Sequence, residues 1–419
     1  MLRIPSVAMV LALFAALATA VLAGCALQPQ TSPPPFQAQC PAAPGTCPVC
    51  PVCPAPEVAK PPAKPLLAAQ WDELDGWPDA AADDLLHAFN GFLASCGILQ
   101  KKPVWRETCS SARALEGRSS TDVRAWFETQ LQPWQLVNPD GGREGLVTGY
   151  YEPLLKGSRN SSQRYPYPIY GVPADLIDVE LGDLYPELRH MRLRGRIEGR
   201  KLLPYYSRAD WEKTQRSDNV LVWADDLFDV FFMQIQGSGQ VQLDDGSRIR
   251  VGYADQNGHP YRSIGRWLID QGELKAEQAS MQGIKGWARA HPERVQELLN
   301  ANPSYVFFRE LGVQGNGLDA GPPGALGVPL TAERSIAVDA RYSILGAPVW
   351  LATTWPGSER PLQRLMLAQD TGGAIRGPAR ADFFWGSGHD AGVQAGKMRQ
   401  KGRMWILLPR SHVPPDGQR

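Results

Sequence analysis

What most limits the folds open to this chain is the order in which its periodicities change. Apolar residues first recur at helical spacing, as Leu85, Leu86, Phe89, Phe92, Leu93 and Cys96 within residues 79–99, and then in "STDVRAWFETQL" from Ser120, which opens on polar capping residues. From "GLVTGYYEPLL" onward the pattern turns to strands, and "QVQLDDGSRIRV" alternates around Asp245 and Gly246 as a hairpin does. A helical interval follows from about Tyr261 to Leu299, before strands return in "RSIAVDA", "APVWLATT", "QRLMLAQD" and "RMWILLP". No repeat at a solenoid period interrupts this order. Helices, strands, helices and strands again predict a β-barrel-like domain inserted within another domain, with the cleft between them as the place for a site.

Length agrees with two domains, since 419 residues exceed what one core usually organises. Lys and Arg number 43 and Asp and Glu 43, with no basic block, which argues against the electrostatic footprint of a nucleic-acid binder. The chain opens with Arg3, an apolar run, and then Leu22, Ala23, Gly24 and Cys25. This resembles a bacterial lipoprotein signal, so residues 1–24 are expected to be removed and Cys25 lipidated. Ala26 carries no signal for retention at the inner membrane, so the expected location is the outer membrane, anchored by lipid and facing the periplasm. Residues 26–65 are proline-rich and predict an extended tether; at about 3 Å per residue it reaches on the order of 100 Å, a span suited to a wall polymer.

Four cysteines, Cys40, Cys47, Cys50 and Cys53, sit in that tether. Their CPVC spacing is that of a zinc pair, but a zinc site needs a folded second pair, and linker cysteines are the expectation. Cys96 and Cys109 bracket a short segment of the globular region and are free to bond in an oxidising periplasm, where such a loop contributes about 3 kcal/mol. The six histidines show no metal-ligand spacing, so no metal or other cofactor is expected. "GSGQVQ" lacks the third glycine of a dinucleotide loop, and Ser238 lacks a nucleophile elbow.

Carboxylates remain. Asp339 ends "SIAVD", Asp370 ends "LMLAQD", and Asp382 precedes "FFWGSG". An aspartate at a strand end beside glycine is ordinarily a turn cap, and Asp370 before "TGG" fits that role. Asp382 has an apolar surround in Phe383, Phe384 and Trp385, and desolvation raises a carboxyl pKa as a general acid requires. "TGYYEP" and "QIQGSG" add Thr148, Tyr150, Tyr151, Gln234, Gln236, Gly237 and Ser238, aromatic, hydroxyl and amide groups beside glycines, as a saccharide site needs; Trp385 joins them as a candidate glycan contact.

"VTGYYEPLLKGS", "FFMQIQGSGQV", "IRVGYADQNGHPY", "SMQGIKGW", "NPSYVFFREL", "GALGVPLTAERSIAVD" and "AQDTGGAIRGPARADFFWGSGHDAG" together resemble the membrane-bound lytic murein transglycosylase A family, from about Leu85 to Pro409. The C-terminal part resembles the domain named for three aspartates, here Asp339, Asp370 and Asp382. The resemblance implies a mainly β fold with flanking helices: a double-psi β-barrel domain (66–152 and 262–410, the three-aspartate segment at about 330–410) interrupted by a smaller β-barrel domain (153–261), with glycan in the groove between them. It also implies non-hydrolytic cleavage of the β-1,4 bond between N-acetylmuramic acid and N-acetylglucosamine, leaving a 1,6-anhydro end. Asp382, which follows "GGAI" and precedes the aromatic run, takes the place of the single catalytic acid, with Asp370 and Asp339 supporting it. The implied partners are peptidoglycan glycan strands, the outer membrane through the lipid anchor, and proteins of a cell-wall synthesis complex. Two rival readings stay open: a hydrolase of the same bond with Asp370 as base, and a non-catalytic lipoprotein that tethers glycan.

Overall fold

The computed structural model describes residues 65–77, 85–115, 119–189, 191–214, 216–312, 320–414 and 417–418. The expected signal, Cys25, the tether with its four cysteines and the first turn of the helix expected over 79–99 lie outside these residues.

The chain begins with β1 (Leu66–Ala68) and three helices, α1 (Leu85–Leu99), α2 (Pro103–Ala114) and α3 (Ser120–Gln130). Pro103 opens α2 at a position where a missing N–H costs nothing. α3 starts on a capping box, in which Ser119 Oγ accepts the Asp122 N–H and the Asp122 carboxylate accepts the Ser119 N–H. Cys96 and Cys109 are both fully buried and are joined by a disulfide that links α1 to α2. Phe89, Phe92, Trp126 and Phe127 pack edge to face or tilted between α1 and α3. β2 (Leu131–Leu136) and β3 (Gly145–Glu152) follow.

Beyond β3 the chain makes a second β domain from β4 (Leu154–Ser158), β5 (Tyr167–Tyr170), a small three-stranded sheet of β6 (Ile177–Asp178), β7 (Arg194–Glu198) and β8 (Lys201–Pro204), then α4 (Arg208–Lys213), β9 (Val220–Ala224), α5 (Leu227–Gln236), β10 (Ser238–Leu243) and β11 (Arg248–Gln256). α6 (Ile264–Asp270), α7 (Met281–Ala290) and α8 (Val295–Asn300) lead to β12 (Val306–Leu311). The six-stranded sheet runs β12-β11-β10-β4-β9-β5, and a bridge from Gly171 to Phe308 brings its last strand back to its first. Leu155, Ile169, Val222, Val241, Val251 and Phe308 fill its interior. β10 and β11 form the hairpin expected from alternation, and Gly246 turns it in the left-handed region at φ +86°.

This insert outruns the expected boundary at residue 261. β12 pairs with β11 along the sheet edge, and α6 to α8 bury Ile264, Leu268, Ile284 and Trp287 against Phe231 and Phe232 of α5. The chain leaves the sheet for a helical excursion and returns to it, so a change of period marks a detour here and not the domain's end.

β13 (Ser335–Val338), β14 (Pro348–Thr354), β15 (Pro361–Asp370), β16 (Ala381–Ser387), α9 (His389–Lys397) and β17 (Arg399–Pro409) complete the first domain. The order β14-β15-β13-β16-β3-β17 closes on itself because β17 also pairs with β14. β13 with β15 and β16 with β3 are parallel, the other pairs antiparallel. The result is a closed six-stranded double-psi barrel, to which β2, β1 and β18 (Gly417–Gln418) are added along β17. One large apolar core joins the barrel to α1, α2 and α3.

Candidate active site

β16 lies between β13 and β3, and its alternation sorts its side chains. Ala381, Phe383 and Trp385 enter the large apolar core, so Asp382 and Phe384 take the other face. The parallel register sets Asp382 beside Thr148 and Phe384 beside Tyr150, whose ring centroids are 5.2 Å apart. Thr148 Oγ1 donates to Asp382 Oδ1 at 2.5 Å. On the other side Ala337 of β13 is the register partner of both Asp382 and Asp370. The two aspartates therefore stand two strand spacings apart, roughly 10 Å between backbones.

Each carboxylate has a different set of partners. Asp370 Oδ2 accepts from the Tyr150 hydroxyl at 2.9 Å, and Oδ1 accepts the N–H groups of Ala325 and Thr371, both at 2.9 Å. Burial pushes its pKa up, while these three donors pull the other way. Tyr150 is held well above the ordinary phenol range by burial first and then by the Asp370 charge. Asp339 is buried and bound by the Arg341 guanidinium and the Gly377 N–H, the latter at 2.8 Å. The Arg341 guanidinium first, with the N–H groups of Gly377 and of Arg341 itself, holds its pKa at about 2. Asp339 thus pins the "GGAIRG" loop that leads into β16.

Asp382 is half-buried. Burial raises its pKa and the charge of Asp370 adds to the rise, whereas the Thr148 hydroxyl and the positive charge of Arg380 oppose it. Arg380 Nη2 donates to Thr148 Oγ1 at 2.8 Å.

The remaining sequence candidates fall into four places. Tyr151 and Gln236 line a cavity of about 220 Å³ with Gly149, Phe232, Tyr261, Met281 and Gly392, between the barrel and the insert with its helices. The Tyr151 N–H donates to Gln236 Oε1 at 3.1 Å, and burial lifts the Tyr151 hydroxyl to about 12. This cavity lies on the face of β3 opposite Thr148 and Tyr150, because neighbours on a strand point to opposite sides. Gly237 caps α5 at φ +83° and Ser238, half-buried, starts β10 against Gly252.

Two expectations are corrected. Gln234 is buried inside the insert, where its Oε1 accepts from Arg208 Nη2 at 2.5 Å. Trp385 is a core residue, 4.6 Å from Phe383 and donating to Met398 Sδ at 3.3 Å. Strand and helix phase decide both, and a motif's position does not reveal phase. Arg380 escaped sequence reading, although it stands two residues before Asp382, the spacing that places side chains on one face of a strand.

Two family models match the parts of the chain that build the insert and the aspartate-bearing strands. Residues 146–309 match the MltA specific insert domain and residues 334–408 the 3D domain. The membrane-bound lytic murein transglycosylase A of Escherichia coli strain K12 is 34% identical over 298 residues, 69% of this chain and 73% of the relative. A crystal structure of MltA from Neisseria gonorrhoeae superposes with a TM-score of 0.73 at 38% identity, covering 84% of this chain and 97% of that one. Escherichia coli MltA with bound chitohexaose superposes at 0.61 with 29% identity, over 84% and 97%. The chain belongs to the membrane-bound lytic murein transglycosylase A family. Among the described residues no helix is long and apolar enough to cross a membrane.

Proposed function

We propose that this protein is a lytic transglycosylase that cleaves the β-1,4 bond between N-acetylmuramic acid and N-acetylglucosamine of peptidoglycan without water, using Asp382 as general acid and then general base. The protonated Asp382 gives its proton to the glycosidic oxygen as the bond from C1 to that oxygen breaks. The C6 hydroxyl of the same muramyl residue attacks C1, and its proton returns to Asp382. Atoms balance with no water consumed, and the product ends in a 1,6-anhydro ring. A glycosidase normally needs a second carboxylate as nucleophile or base. Here the substrate's hydroxyl replaces it, and intramolecular attack avoids much of the entropy of bringing in a second reactant.

The observation that carries this reading is the contrast among the three aspartates. Asp370 and Asp339 have both oxygens engaged by donors, whereas half-buried Asp382 accepts, among the described residues, one side-chain hydrogen bond, from Thr148 to Oδ1. Engaged oxygens on Asp370 count against its serving as a water-activating base, the role that a hydrolase would require. The oligosaccharide held by the Escherichia coli relative favours a glycan ligand. Thr148 and Tyr150 are proposed to contact the saccharide beside Asp382, on the face of β3 that carries them to the aspartates. The lipoprotein-like "LAGC" at residues 22–25 supports anchoring at the outer membrane, facing the wall, where a wall-synthesis complex is the expected protein partner.

Asp382→Asn tests the reading. Digests of purified sacculi by the wild type should give muropeptides that lack one water relative to reducing-end products. The variant should release at least about a thousandfold less while still binding sacculi. Substantial turnover by Asp382→Asn would remove Asp382 from the chemistry.

A further inference from the structure

We propose that Arg380 is a positioning residue for proton transfer: acting through Thr148, it commits Oδ1 of Asp382 to accepting a hydrogen bond and leaves Oδ2 as the one oxygen that exchanges a proton with the substrate. The inference rests on the reading of Asp382 above.

Arg380 directly precedes β16. Its Nη1 donates to the carbonyls of Ala381 and Leu146, which fixes the plane of the guanidinium across the junction of β16 and β3. Its Nη2 then reaches Thr148 Oγ1 at 2.8 Å. A guanidinium has donors and no acceptor, and a threonine hydroxyl has one proton. Thr148 therefore accepts from Arg380, and its single proton points to Asp382 Oδ1 at 2.5 Å. With Oδ1 occupied in this way, the proton of the neutral acid sits on Oδ2. A carboxyl without this relay would place its proton on either oxygen and would be free to turn out of the geometry that proton transfer needs.

Arg380 also sets a limit. The charged and titratable groups facing Asp382 are Asp370 from β15, Tyr150 from β3 and Arg380 itself; β13 places Ala337 beside it. Burial and Asp370 favour the neutral acid, and Arg380 is the cation that keeps the ionised form accessible for the second proton transfer.

The test measures kcat and KM on sacculi as a function of pH, with melting temperature measured alongside, for Arg380→Gln, Arg380→Lys, Thr148→Val and Thr148→Ser. Arg380→Gln should lower kcat about ten- to a hundredfold with little change in KM. Its alkaline limb should move up by about one pH unit, because a nearby positive charge has been lost. Arg380→Lys should keep the limb near its wild-type position. Thr148→Val should lose kcat, and Thr148→Ser should recover it. An alkaline limb at the wild-type pH in Arg380→Gln, or a loss carried wholly by KM, overturns the inference. If Arg380→Gln does not fold, the Thr148 pair decides, since equal kcat and equal pH profiles for the Val and Ser variants also overturn it. An inactive Asp382→Asn together with an unshifted Arg380→Gln limb defeats only this inference, whereas an active Asp382→Asn defeats the reading beneath it.

Discussion

Three aspartates of one sequence neighbourhood sit in three electrostatic settings, and each setting has a consequence that titration can read. Asp382 is held up by burial, so its ionised form is the less comfortable one in the fold. Asp339 is held down to about 2 by Arg341 and backbone N–H groups. A depressed folded-state pKa contributes stability that is present above the unfolded value and lost as pH falls through the folded one. Asp339→Asn should therefore destabilise by about 1–3 kcal/mol at neutral pH. That difference should shrink as the pH drops from about 4 toward 2, as denaturant titrations at several pH values would register. A penalty independent of pH would mean that the charge of Asp339 is not what holds the loop. Motif reading named Asp382, Thr148, Tyr150 and Asp370, which the strand register and two hydrogen bonds bring together. It misplaced Trp385 and Gln234, whose roles depend on which side of an element each residue faces.

At the scale of elements, β3 does two jobs. One face carries Thr148 and Tyr150 to the aspartates, and the other packs against α9 and the core. Gly149 permits this: a Cβ there would meet Trp385 Nε1 at 2.7 Å and Ala395 Cα at 2.8 Å. The glycine of "TGYY" is thus a packing requirement, where the sequence suggested room for a ligand. Gly149→Ala must push Trp385 or α9 aside, at a cost of about 1–3 kcal/mol. Thermal denaturation should show the loss, and an unchanged melting temperature would contradict the packing role. Alternation and turn residues made β10, β11 and most barrel strands legible in advance. β16 was hidden, because its aromatic run reads as a surround for Asp382 until the pairing with β3 and β13 is known.

At the scale of the molecule, barrel and insert are joined where β3 runs into β4. Glu152, with no exposed surface, accepts from Arg250 at 2.6 and 3.0 Å, from Gln240 at 2.9 Å and from the Ser387 hydroxyl at 2.8 Å. One carboxylate thus ties the insert's β10 and β11 to the barrel's β16. Glu152→Ala removes the carboxylate that accepts from a buried guanidinium, which should cost about 3–5 kcal/mol and lower the denaturant midpoint; a midpoint at the wild-type value would rule out the pair as an interdomain tie. The two-domain plan was readable from the order of periodicities, but the return of β12 to the insert's sheet was not, since long-range pairing leaves no local trace. The central claim is that a single carboxyl, served by the substrate's own hydroxyl, breaks the glycan without water. Digestion of sacculi in heavy-oxygen water tests it most directly by mass spectrometry of the released muropeptides. The account predicts anhydro ends free of the label, and reducing ends that carry the heavy oxygen would contradict it.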